Sequence, residues 1–111
     1  MTREELISQL ETIGFPLAYS HFKNSEDVPP PKPPFMVYMF SSSDDLMADN
    51  YNYAEISYYT VELYTDKKDL ASEKLVEDKF KEMKIPYTKL EAWIEEEKLF
   101  QVAYEIQIIG G

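Results

Sequence analysis

Apolar and polar positions change rhythm repeatedly along this chain, and each rhythm predicts an element. Near the start, Leu6, Leu10 and Ile13 recur at helical spacing with Ile7 beside them, which places them on one face of a helix. Thr2 followed by Glu5 has the capping-box spacing that satisfies the free amides of a first turn. Gly14 stands where a helix ends in a left-handed residue, and Pro16 blocks continuation. A helix is therefore predicted over Arg3 to Ile13, followed by a short strand over Leu17 to Phe22.

Residues 23–34 are polar and carry prolines at 29, 30, 31, 33 and 34. Proline lacks an amide donor and favours extended backbone, so this stretch reads as a stiff connector into a strand. Pro30, Pro31 and Pro33 approach a ligand motif for proline-binding domains, but Lys32 is the one basic residue beside them. From Phe35 to Ser41 both alternating faces are apolar, with Phe35, Val37 and Met39 on one and Met36, Tyr38 and Phe40 on the other. Such a strand is central, or holds one face for a partner. Residues 42–52, rich in serine, aspartate and asparagine, read as an exposed loop.

A long strand is predicted over Tyr53 to Thr65, where Ser57, Tyr59, Val61 and Leu63 alternate with Tyr58, Thr60, Glu62 and Tyr64. Thr65, Asp66 or Asp69 then caps a helix of about fifteen residues. Ala71, Leu75, Val76, Phe80 and Met83 form its apolar stripe, and Glu73, Glu77, Lys81 and Lys84 its wet side. Glu77 stands four residues before Lys81, the favourable order for an ion pair. Pro86 ends this helix. A strand follows over Tyr87 to Glu95, with Tyr87, Lys89, Glu91 and Trp93 to one side, and residues 95–98 suit a hairpin turn. Phe100, Val102, Tyr104, Ile106 and Ile108 alternate with Gln101, Ala103, Glu105 and Gln107, the signature of a sheet covered on one face. The order is helix, three strands, helix, two strands. It predicts one α+β domain over residues 1–111, a two-layer α/β arrangement of a mainly antiparallel sheet with both helices packed on one face.

Composition narrows the function more than the fold. The 111 residues carry 21 acidic side chains against 11 basic ones, a net charge of −10. That balance repels phosphate backbones and anionic membrane surfaces, so neither nucleic acid nor membrane is an expected partner. Cysteine is absent, which removes disulfides, thiolate nucleophiles and cysteine zinc sites. The N-terminus reads as a polar helix rather than a signal peptide. His21 is the single histidine, and Ser41, Ser42 and Ser43 lack the glycine-flanked turn of a serine nucleophile. Gly14, Gly110 and Gly111 are the three glycines, too few for a phosphate-cradling loop. Glu91, Glu95, Glu96 and Glu97 read as a solvated run at a turn rather than paired catalytic carboxylates. Asp44, Asp45 and Asp49 lack the spacing of a calcium loop. The nine tyrosines suit either a small core or a contact surface. No catalytic residue, cofactor or metal ligand is expected.

The segment Val61-Glu62-Leu63-Tyr64-Thr65-Asp66-Lys67-Lys68-Asp69 before an acidic amphipathic helix resembles small proteins of Gram-positive prophages. Trp93-Ile94-Glu95 followed by Glu97-Lys98-Leu99-Phe100-Gln101-Val102-Ala103-Tyr104-Glu105-Ile106 carries the same likeness. So does Pro16-Leu17-Ala18-Tyr19-Ser20-His21-Phe22 with the approach to Phe35-Met36-Val37-Tyr38. Over nearly the whole chain the order of these segments is similar to the tail-completion, or tail-terminator, class of head–tail joining proteins of long-tailed phages. The resemblance implies a structural virion protein, made in the bacterial cytoplasm, with no enzymatic activity. It implies a ring, typically a hexamer, that caps the tail tube and meets the head connector; an isolated subunit could be monomeric. From composition, the expected contact surface is the loop and the preceding two-sided strand: Met36, Tyr38, Phe40, Asp44, Asp45, Leu46, Met47, Asp49, Tyr51 and Tyr53. The alternatives are a small acidic accessory protein or inhibitor that mimics DNA before a basic host protein, and a small metal-dependent enzyme.

Overall fold

A computed structural model describes residues 1–21, 31–48 and 51–109. Two helices, α1 (Arg3–Glu11) and α2 (Leu70–Glu82), accompany five strands: β1 (Leu17–Tyr19), β2 (Phe35–Ala48), β3 (Tyr51–Thr65), β4 (Tyr87–Ile94) and β5 (Leu99–Ile109). The strands form one sheet in the order β1-β2-β3-β5-β4. Only β1 runs parallel to its neighbour; the other three pairings are antiparallel. The α+β class and the order of elements therefore match the expectation.

Local chemistry starts and stops the helices where the sequence predicts. The Thr2 hydroxyl accepts the Glu5 amide at 3.1 Å, and Gly14 takes φ +99° after the last turn of α1. Of the three candidate caps before α2, Asp69 is the one used. Its carboxylate accepts both the Ser72 amide (3.0 Å) and the Ser72 hydroxyl (2.8 Å). Those bonds from Ser72 hold the Asp69 carboxyl below its ordinary range.

Directly opposed residues of an antiparallel ladder share a face. The register puts Met36 and Tyr38 with Leu63 and Val61, and these with Val102 and Tyr104. Both helices cover this face. Leu6 and Leu10 of α1 and Val76 and Phe80 of α2 join those residues in one fully buried core. Phe80, Tyr87 and Tyr104 meet as a cluster of rings 5.4–5.5 Å apart, within the range favoured by aromatic pairs. Helix α2 also sets the topology. β3 and β4 both run antiparallel to β5, so they point the same way and α2 is the crossover between them.

Three expectations are corrected. Residues 42–52, expected as an exposed loop, lie mostly in strand: β2 continues to Ala48, and β3 begins at Tyr51. Serine, aspartate and asparagine are the usual residues of loops, which is why this paired stretch reads as one. The first strand stops at Tyr19, with Ser20 at φ 67°, and Phe22 and most of the proline-rich connector lie outside the described residues. On α2 the stripe is rotated: Ala71 is exposed and Leu75 is 51 % exposed, whereas Glu73 is 2 % exposed. Phe80→Ala is expected to lower unfolding free energy by about 3–5 kcal/mol. Leu75→Ala is expected to change it by no more than about 0.5 kcal/mol. Urea denaturation followed by circular dichroism distinguishes this assignment of faces from the one the sequence predicts.

Candidate functional site

Strand lengths in the sheet are unequal, and the mismatch creates the most distinctive surface. β3 pairs with β5 only from Ile56 to Thr65, and β1 reaches β2 only at Met36 to Tyr38. Beyond those limits, residues 45–48 and 51–55 pair with one another alone among the described residues, giving a two-stranded ribbon. Register shifts at Phe40/Ser42 and Leu46/Met47 break its regularity, and such bulges bend and twist a ribbon. Where β1 ends, the Tyr19 hydroxyl takes over and accepts the Phe40 amide at 3.3 Å. Past that point no described strand lies along the outer side of β2.

Ribbon register sets Asp45 directly opposite Glu55, with Asp44 adjacent. An isolated two-stranded ribbon is marginal in water. Between residues 41 and 57 there are four carboxylates and no lysine, arginine or histidine. Where the ribbon leaves the sheet, Ser41, Ser42, Tyr58, Pro86, Thr88 and Glu105 line an open groove.

A second constellation lies where α2 meets β4. The Glu73 carboxylate, 3 % exposed, receives Lys89 Nζ at 2.6 Å on Oε1. Lys68 straddles it, with Nζ 2.9 Å from Oε2 and 3.0 Å from Oε1. The Lys68 hydrogen bond is directed at Oε1, so charge alone steadies Oε2, which has no hydrogen bond among the described residues. Lys68 also reaches Glu91. Lys89 bridges onward to Glu77 Oε2 at 2.9 Å, and Glu77 accepts the hydroxyls of Tyr104 (2.8 Å) and Tyr87 (3.1 Å).

This network is closed by its own charges. Hydrogen bonding to Glu73 outweighs burial and, with Glu77, holds Lys89 protonated far above the ordinary lysine range. Burial works to raise Glu77, but Lys89 and the two phenols outweigh it and keep its carboxyl below the usual value. Burial, reinforced by the neighbouring Glu77 carboxylate, drives the Tyr104 phenol far upward. A lysine held protonated is no nucleophile, and a carboxylate held ionised is a poor proton donor at neutral pH. The arrangement is suited to fixing α2 onto the sheet.

On the opposite, helix-free face, Phe35 and Tyr64 stack at 5.1 Å. The Tyr64 hydroxyl donates to Glu62 at 3.0 Å, and the Gln101 amide reaches both Glu62 (3.0 Å) and Tyr64 (2.8 Å). Burial, opposed by the Gln101 bond and aided by Glu62, pushes the Tyr64 phenol up to about 12.

The structure divides the contact residues expected from sequence. Met36 and Tyr38 are 0 % and 8 % exposed beneath the helices, so they build the sheet rather than offer surface. Phe40 is 46 % exposed. Asp44, Asp45, Leu46 and Met47 fall in the distal part of β2, Tyr51 and Tyr53 in β3, and Asp49 outside the described residues. Sequence reasoning missed the ion cluster because Lys89 of β4 and Lys68 of the preceding turn come from outside the helix that carries Glu73 and Glu77. The signal present was Lys89 at an inward position of β4.

His21 is exposed and lies 3.3 Å from the Ser20 hydroxyl. Among the described residues no three of His, Cys, Asp and Glu converge as a metal-binding set. Of the glutamates expected as a solvated run, Glu95 accepts Lys98 and the Trp93 ring N–H, while Glu91 joins the cluster through Lys68.

Removing Lys89 leaves Glu73 with Lys68 and deprives Glu77 of its cation. Lys89→Met is expected to destabilise the fold at the low end of the ~3–5 kcal/mol typical of breaking a buried pair, since its ammonium keeps some contact with water. Guanidinium unfolding measures it. Glu77 has a depressed folded-state pKa, so its contribution is full above the unfolded carboxyl value and disappears as pH falls through the folded one. Unfolding free energy between about pH 5 and pH 3 should therefore fall less steeply in Glu77→Gln than in the wild type. Equal slopes in titrated urea melts would exclude this account.

No protein-family model matches the chain, and a search of curated proteins returns no match.

Proposed function

We propose that this chain is a structural protein of the head–tail junction of a long-tailed phage or prophage. In this reading it caps the tail tube and joins it to the head connector, as a ring and without catalysing a reaction. The observation that carries the reading is the ribbon. Residues 45–48 and 51–55 extend beyond every other described strand, and a ribbon that is marginal by itself gains order on meeting a complementary surface. A tube cap needs such a surface, because it must dock on the last ring while leaving nothing for another ring to add to. The resemblance of the segments around Val61–Asp69 and Trp93–Ile106 supports the same assignment.

The charge balance favours one other reading. With a net charge of −10, the chain could be an accessory inhibitor that presents carboxylates to a basic host protein. The two readings separate in the particle. Deleting the reading frame from an inducible prophage is expected to give filled heads without attached tails, together with tails of irregular length. Electron microscopy of the lysate checks this, and normal tailed particles would overturn the structural assignment.

A further inference from the structure

We infer that the N-terminal half of α2 is an acid-released latch, a segment held to the sheet by charge that lifts away as a unit while the rest of the fold stays closed. Nothing in this depends on the junction reading above. The two halves of α2 are attached differently. Val76 and Phe80 are 0 % exposed in the core, and Met83 and Ile85 pack there beside them. Residues 70–75 bury no apolar side chain. Leu70 is 70 % exposed and Leu75 51 %, Ala71 and Lys74 are exposed, and the two buried residues are Ser72 and Glu73. Ser72 bonds to the cap Asp69, next to the same segment, and Lys74 pairs with Asp78 along the helix. Among the described ion pairs and hydrogen bonds, Glu73 is therefore what ties this half of the helix to the sheet.

Glu73 meets cations from two directions, Lys68 of the preceding turn and Lys89 of β4. Around these lie Glu91 of β4, paired with Lys68, and Glu77 of α2, paired with Lys89 and bonded to Tyr87 of β4 and Tyr104 of β5. Acid acts on one side of this balance only. Hydrogen bonds to Glu91 and Glu73 raise Lys68, and bonding to Glu73, opposed by burial and aided by Glu77, raises Lys89. Both ammoniums therefore keep their charge as pH falls, while carboxylates lose theirs. Once Glu73 is neutral, residues 70–75 have neither a charge partner nor buried apolar surface to hold them, and sparse apolar burial is what marks segments that open locally. Glu77 acts with the same sign. Its folded-state pKa is depressed, so its contribution is full above the ordinary carboxyl value and is lost as pH falls through the folded one. Val76 and Phe80 have no such dependence, which places the hinge at Val76.

Amide hydrogen exchange resolved by residue with NMR tests the latch on the full chain, with rates corrected for the pH dependence of intrinsic exchange. Amides 73–76 close the first turns, beginning with Glu73 onto the Asp69 carbonyl at 3.1 Å. Amides 80–83 report the second half, ending with Met83 onto the Lys79 carbonyl at 3.0 Å. Between about pH 7 and pH 4, protection at 73–76 is expected to fall by roughly tenfold or more relative to 80–83 and to β5. Glu73→Gln, neutral like the protonated carboxyl, should show the opened pattern already at neutral pH. Glu73→Met, which puts an apolar side chain in place of the buried charge, should keep 73–76 protected at both pH values. Circular dichroism checks that each variant folds, and the wild-type comparison decides the matter by itself if one does not. The latch is overturned by equal loss of protection across α2 and β5, by protection at 73–76 that ignores acid, by a Glu73→Gln chain as protected as the wild type, or by a Glu73→Met chain that opens in acid. A prophage deletion reads none of these quantities, so failure here and failure of the junction reading are distinguishable.

Discussion

The placement of α2 depends on Lys89 reaching from an edge strand into carboxylates that the helix would otherwise bury unpaired. Glu73 faces the sheet at 3 % exposure, and a buried carboxylate without cations is severely unfavourable. With Lys89 and Lys68 in place it becomes a fastening, and Glu77 extends the fastening to the phenols of Tyr87 and Tyr104. Because α2 is the crossover between β3 and β4, this polar seam also fixes where β4 lies against β5. The aromatic cluster of Phe80, Tyr87 and Tyr104 packs beside it, so apolar burial and charge pairing act at one location.

The same lysine makes the two sides of the sheet unequal. An inward-pointing charge on an edge strand discourages a foreign strand from pairing there, and β4 carries Lys89 and Glu91 on its helix-covered side. The other side has a three-residue edge strand, β1, followed by a stretch of β2 from Met39 to Ser43 with no charge and no proline. One flank is thus closed to strand pairing, while along the other no described strand pairs with β2 beyond Tyr38. An asymmetric subunit of this kind suits assemblies whose contacts run in one direction.

Most of the fold was legible in the sequence because most of it obeys simple periods. β5 alternates as expected, since one face lies under helices and the other does not. Thr2, Gly14 and Asp69 act at the helix ends through short-range hydrogen bonding and backbone freedom that need no tertiary context. The ribbon was not legible. Its strands pair with each other alone among the described residues, and serine and aspartate there resemble loop composition. The rotation of α2 was hidden for a related reason. Leucine at 75 and glutamate at 73 follow the usual rule of apolar inside and charged outside, and only the lysines of β4 and of the preceding turn reverse it. Of the residues expected at a contact surface, Met36 and Tyr38 proved buried, and seeing that required knowing which face the helices choose.

The Tyr19 hydroxyl, bound to the Phe40 amide, has a consequence for anything that comes alongside β2. It acts as a stop. A visiting strand can zip along the border that no described strand covers only as far as Phe40, whose donor is already engaged. A neighbour creeping toward the body of the sheet would have to displace that phenol.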